Sequence, residues 1–312
     1  MHNFCTLFDS NFINYGLAMY ESLKAHCKDF HLFIFAFDDK CFEVLNKLKL
    51  ENTTIISLKE FENEDLLRIK PTRTRQEYCW TCGSSTILHC IEKYNLPECT
   101  YLDADIYFYS DPAVLIEEMG DASVLLTEHR YTSKYDRTQS SGKYCVQFIT
   151  FKNDYNGVKA LKWWVNACID WCFAKRENGR FGDQKYLDDW TQRFEGVHVL
   201  KHLGGGVAPW NVQQYELFDN DFKLVFYHFH DVKFNQKKEL RPIGVCYRLS
   251  REVINRLYIP YLTQLVEISK NLKQIDSSIQ PIVKIETGWN IKKVYAKLKI
   301  MYIRIFLNGL PD

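Results

Sequence analysis

Two carboxylates, Asp103 and Asp105, stand two residues apart inside the run 101–109, which is otherwise apolar, aromatic and β-prone. Such a run reads as a buried strand, or more plainly as a strand end followed by a turn in which Asp105 or Asp111 caps the next element. Buried carboxylates without a partner are costly, so they neutralise or find a cation. Residues i and i+2 of an extended chain point the same way, so both side chains can close on one ion. A few hard oxygen donors suit Mg2+ or Mn2+, with positions left open for phosphate oxygens. The chemistry expected here is a metal–diphosphate site at the end of a central strand. The chain carries its own control, because Asp219-Asn220-Asp221 repeats the spacing in polar surroundings. That copy reads as a solvated turn.

A central strand needs a sheet around it, and the first hundred residues supply one. Strands are expected over 3–8, 31–37 and 53–58, alternating with helices over 15–26 and 41–50. Strand–helix alternation is the sequence form of a parallel sheet with helices on its faces. Ligands of such sheets gather outside the carboxyl ends of the strands. Phe8-Asp9, Asp38-Asp39 and the Asp103/Asp105 pair would then share one rim. A long helix over 76–94 leads into the Asp103 strand, and Arg73 and Arg75 at its mouth either meet phosphate or a base, or stay solvated.

Further along, the polar segment 128–143 reads as a mobile lid or acceptor loop. A strand over 145–151 and a helix over 154–176 follow, with Trp163, Trp164 and Trp171 as core. Asp183 stands where it could cap a helix. Gly204, Gly205 and Gly206 let backbone approach a ligand closely, although the order fits neither a P-loop nor a dinucleotide fingerprint. A last strand over 224–229 carries His228, with His230 beyond it.

Composition sets the class. The 312 residues are 46% hydrophobic and 25% charged, with a formal net charge of +1. These are the values of a soluble globular protein, and near-neutral charge argues against nucleic acid as a partner. No apolar h-region follows Met1 and no apolar stretch approaches a membrane span, so a cytoplasmic chain is expected. Its eleven cysteines are expected to stay reduced, with Cys79/Cys82 and Cys168/Cys172 as buried inert thiols.

The motif order resembles nucleotide-sugar glycosyltransferases of the GT-A fold, in particular the retaining galactosyltransferase and glycogenin-like group with its bacterial surface-glycan members. Four features carry the resemblance across residues 1–235: Asp-x-Asp, Asp183-Gln184 at a helix start, Gly-rich Ala208-Pro209-Trp210-Asn211, and His228 on a late strand. It implies an α/β fold, a mixed and mostly parallel Rossmann-like sheet flanked by helices. Asp103, Asp105 and His228 match the metal-binding set for Mn2+ or Mg2+. Asp183 matches a carboxylate that grips donor-sugar hydroxyls, and Gln184 would lie beside the anomeric carbon. Phe8 and Asp9 match the loop that holds base and ribose, while Gly205, Gly206 and Trp210 fall where the sugar pocket is shaped. The sequence departs from the family after the late histidine, reading His230-Asp231-Val232-Lys233. Either His228 or His230 then ligates, and Lys233 or Lys237 replaces the phosphate-binding cation. Residues 144–147 also stand where Asn-x-Gly is usual.

The implied activity is transfer of a hexose from a UDP-sugar to a glycan or lipid-linked acceptor, with retention. A retaining route needs no strong protein base; an inverting one would call on Asp188 or Asp231. The alternatives are a sugar-1-phosphate nucleotidyltransferase and a non-catalytic glycan-binding scaffold on a transferase fold. Beyond a catalytic domain over 1–235, the sequence suggests a helical extension over 236–280. A basic amphipathic helix within 281–312 is expected to place the protein peripherally on an anionic membrane surface, on its inner face.

Overall fold

The computed structural model describes residues 1–235, 239–241, 243–244, 246–279 and 282. The chain forms two compact units, Met1–His230 and Asp231–Asp312. The amphipathic helix expected within 281–312, and with it Lys237, lies outside the described residues.

In the first unit a seven-stranded sheet runs in the order β3-β2-β1-β4-β7-β6-β8. Its strands are β1 (His2–Phe8), β2 (Phe30–Ala36), β3 (Thr53–Ser57), β4 (Glu98–Leu102), β6 (Val124–Glu128), β7 (Tyr144–Lys152) and β8 (Val197–Val199). β1, β2, β3 and β4 pair in parallel. β7 runs antiparallel to both β4 and β6, and β6 pairs in parallel with β8. One reversed strand therefore sits in an otherwise parallel sheet. β7 is buried along almost its whole length, as expected for a strand covered on both faces.

The helices Arg75–Tyr94 and Tyr155–Asp170 pack together and share a core with the sheet through Ile87, Cys90, Trp164 and Phe151. The first begins with a capping box: Thr74 Oγ1 accepts from the Glu77 amide at 3.3 Å, and Glu77 accepts from the Thr74 amide at 2.8 Å. This reciprocal satisfaction of orphan amides fixes where the helix starts. The second helix stops at Asp170, short of the expected 176, because Trp171 turns extended and buries its ring.

The larger correction concerns 101–109. This run is not one strand. β4 ends at Leu102, the chain turns through 103–105 with the Ile106 amide bonding to the Asp103 carbonyl, and β5 (Ile106–Phe108) joins a different sheet. There it pairs antiparallel with β9 (Phe226–His228). The helix Ile13–His26 packs against β1 and β5. In the second unit, Ser250 caps Arg251–Val253, a π-helical turn follows over Ile254–Tyr258, and the helix Ile259–Ile275 continues it.

Candidate metal and donor site

The two-stranded β5–β9 ladder builds the site. It sets Ile106 opposite His228, and the Phe229 amide donates to the Asp105 carbonyl at 2.9 Å. His228 is thereby carried to the turn that holds Asp103 and Asp105. Its Nε2 lies 3.0 Å from Asp105 Oδ1 and 3.8 Å from Asp103 Oδ2. On the ring's other side, Nδ1 stands 2.5 Å from Oε1 of Gln147, on β7. The amide oxygen of Gln147 accepts there, and Nε2 faces the two carboxylates. Carboxylates and an imidazole converging in this way form a donor set that fits a divalent ion.

The wall behind His228 is aromatic. Trp210 meets the His228 ring edge-on with centroids 5.4 Å apart, and its Nε1 donates to the His129 carbonyl at 2.9 Å. Asn211 holds the same loop, its Nδ2 donating to the carbonyls of His129 and Gly206. Gly206 has φ of +90°, and a Cβ there would come within 2.7 Å of Thr127 and 3.1 Å of Gln147 Nε2. The glycine thus leaves room for the amide that orients His228. Gly205 answers to packing instead, since a Cβ would strike Leu200 and Leu115 at 2.7 and 2.9 Å.

Asp183 is buried and caps nothing with its side chain. The expected side-chain cap is absent, and the carboxyl lies near enough to Asp103 to feel its charge. Burial pushes it up to about 7, and the charge of Asp103 pushes the same way. Gln184 is tied down, its Nε2 donating to the Ser141 carbonyl at 2.5 Å. Lys185 Nζ reaches the Thr138 carbonyl at 3.0 Å, and Asp188 Oδ1 accepts from the Lys143 amide at 2.7 Å. The segment 128–143 is thus fastened to 184–188 rather than left as an open loop. Asp188 is spent on that fastening, with Oδ2 also paired to Lys185 at 2.5 Å.

Elsewhere on the rim the expectations divide. Phe8 buries its ring under the helix Ile13–His26, where a Cβ on Gly16 would lie 2.2 Å from it, so the ring is not a platform for a base. Asp9 accepts from the amides of Asn11 and Phe12 and meets Arg75 Nε at 2.5 Å. The same arginine reaches Asp38 at 2.6 Å. Arg73 lies over the Phe173 ring and donates to the Ile169 carbonyl, which makes it structural. Lys233 belongs to the second unit. Burial pushes the Cys79 thiol up to about 12 and raises those of Cys82 and Cys168 well above the ordinary thiol range, in keeping with inert cysteines. The sequence reading placed Gln147 only in a segment standing where Asn-x-Gly is usual and gave it no part beside the histidine. Its available signal was an amide inside an otherwise strand-like apolar run.

The chain shares its fold with glycosyltransferase GlyE of Streptococcus pneumoniae TIGR4, in the apo form. That match has a TM-score of 0.53 at 12% identity, over 91% of this chain and 66% of GlyE. The galactosyltransferase LgtC, solved in complex with donor and acceptor sugar analogs, aligns with a TM-score of 0.50 at 11% identity, over 93% of this chain and 99% of LgtC. The architecture is the GT-A fold of nucleotide-sugar glycosyltransferases. No protein-family model matches the sequence. The chain is 34% identical over 280 residues to the uncharacterized protein YfnD of Bacillus subtilis strain 168, spanning 84% of this chain and 88% of the relative, and it belongs to the family of YfnD.

Proposed function

We propose that the protein is a metal-dependent glycosyltransferase that moves a hexose from a UDP-sugar to a glycan or lipid-linked acceptor, with retention of anomeric configuration. The observation that carries the reading is the convergence of His228 Nε2 on Asp105 Oδ1 at 3.0 Å and Asp103 Oδ2 at 3.8 Å, a donor set that fits a divalent cation. Mn2+ or Mg2+ held there would neutralise the charge that builds on a departing diphosphate.

Asp103, Asp105 and His228 are the ligands in this reading, and Gln147 keeps the imidazole in the ligating tautomer. Asp183 grips sugar hydroxyls; a carboxyl near its midpoint at neutral pH both donates and accepts. Gln184, anchored through Ser141, borders the anomeric carbon. Trp210 and Gly206 support the pocket from behind the histidine, while Phe8, Asp9 and Gly205 shape its rim through backbone and packing. Retention agrees with a site that presents no free carboxylate at Asp188, because the departing phosphate takes the acceptor proton.

A panel of nucleotide sugars incubated with the protein and Mn2+, followed for free nucleotide, tests the reading. UDP release that stops on chelation, and is absent in Asp103→Asn and Asp105→Asn, is expected. Release indifferent to chelation and to both variants would refute it.

A further inference from the structure

Two residues beyond His228 the chain places a second imidazole beside the first. His230 stands in the turn that follows β9. Their rings meet edge-on with centroids 5.5 Å apart, and the His230 ring also packs against Trp210 at 5.6 Å. One ligand atom each from Asp105, His228 and His230 lies within 4.8 Å of the others. Two donors on one ion stand at most about 4.4 Å apart, twice a bond of roughly 2.2 Å. Closing the set thus needs shifts of a few tenths of an ångström. Asp105 and His228 are buried while His230 is exposed, so the side chain that must move is the one with room to do so.

We propose that His230 is a further ligand of the ion held by Asp105 and His228, and that the second imidazole makes the site prefer transition ions to Mg2+. The proposal rests on the metal reading above and adds a residue and a selectivity to it. Imidazole nitrogen strengthens binding along the series from Mn2+ to Co2+ and Zn2+. Mg2+ gains little from nitrogen, since it favours oxygen donors in near-ideal octahedra and keeps several waters.

Pulsed electron paramagnetic resonance of the full chain with Mn2+ reads the ligands directly. Two imidazole nitrogens coupled to the ion are expected in the native protein and one in His230→Ala. Calorimetric titration gives the second readout. His230→Ala should weaken Co2+ by at least about tenfold and change Mg2+ by no more than about twofold. One coupled nitrogen in the native protein, with Co2+ affinity unmoved in the variant, overturns the role of His230 and leaves the ion in place. Failure of the native protein to bind any of the three ions overturns this proposal together with the metal reading.

Discussion

Asp103-Ala104-Asp105 and Asp219-Asn220-Asp221 share a spacing and little else. Both fall in turns, the second closed by the Phe222 amide on the Asp219 carbonyl. At the second, Asp219 and Asp221 are exposed, and the chain loses nothing by leaving them hydrated. At the first, Asp105 is buried and faces an imidazole whose far side is already bonded. Water can no longer solvate the charge there, so the surroundings must. The difference lies in the partner that the fold brings, and not in the motif.

The contrast can be broken most directly at Asp105. Asp105→Asn should lower initial transfer rates a hundredfold or more, about 3 kcal/mol in barrier. A rate within a few-fold of native would make the two stretches equivalent. Gln147→Leu sharpens the comparison by keeping both carboxylates and freeing the imidazole tautomer. Calorimetry should then show Mn2+ affinity down by about 10- to 100-fold.

The buried wall around the first stretch also has a signature in pH. Burial holds His129 down to about 3, so the folded protein keeps it neutral where the unfolded chain protonates it. The unfolded state then binds the extra proton below its pKa of about 6.5, and stability falls as pH drops. Denaturant titrations at pH 5 against pH 8 should show a loss of about 2 kcal/mol from this group, absent in His129→Phe. The smallest effect belongs to the control: Asp219→Asn combined with Asp221→Asn should leave stability within about 0.5 kcal/mol and transfer unchanged.

A second comparison along the rim explains a miss. Asp9 and Asp38 look as available in the sequence as Asp103, yet Arg75 bridges them. Nothing local announces which acid an arginine 37 residues from one and 66 from the other will choose. Gln147 was hidden for the same reason, being 81 positions from His228. The strand break at Asp103 was an open alternative that local pattern could not decide, because an apolar aromatic run suits β4 and β5 as well as one longer strand.

Local pattern by itself determined the alternating strands and helices of the first hundred residues, and told the apolar Asp-x-Asp from the polar one. Both are properties of neighbours in the chain, carried by hydrophobic period and side-chain type. Tertiary structure alone decided that β7 runs against its neighbours, that β5 leaves the main sheet for β9, and that a histidine, an amide and a carboxylate from three distant segments converge. Such convergence is set by ladder register and packing across the whole unit, which no short window of residues contains.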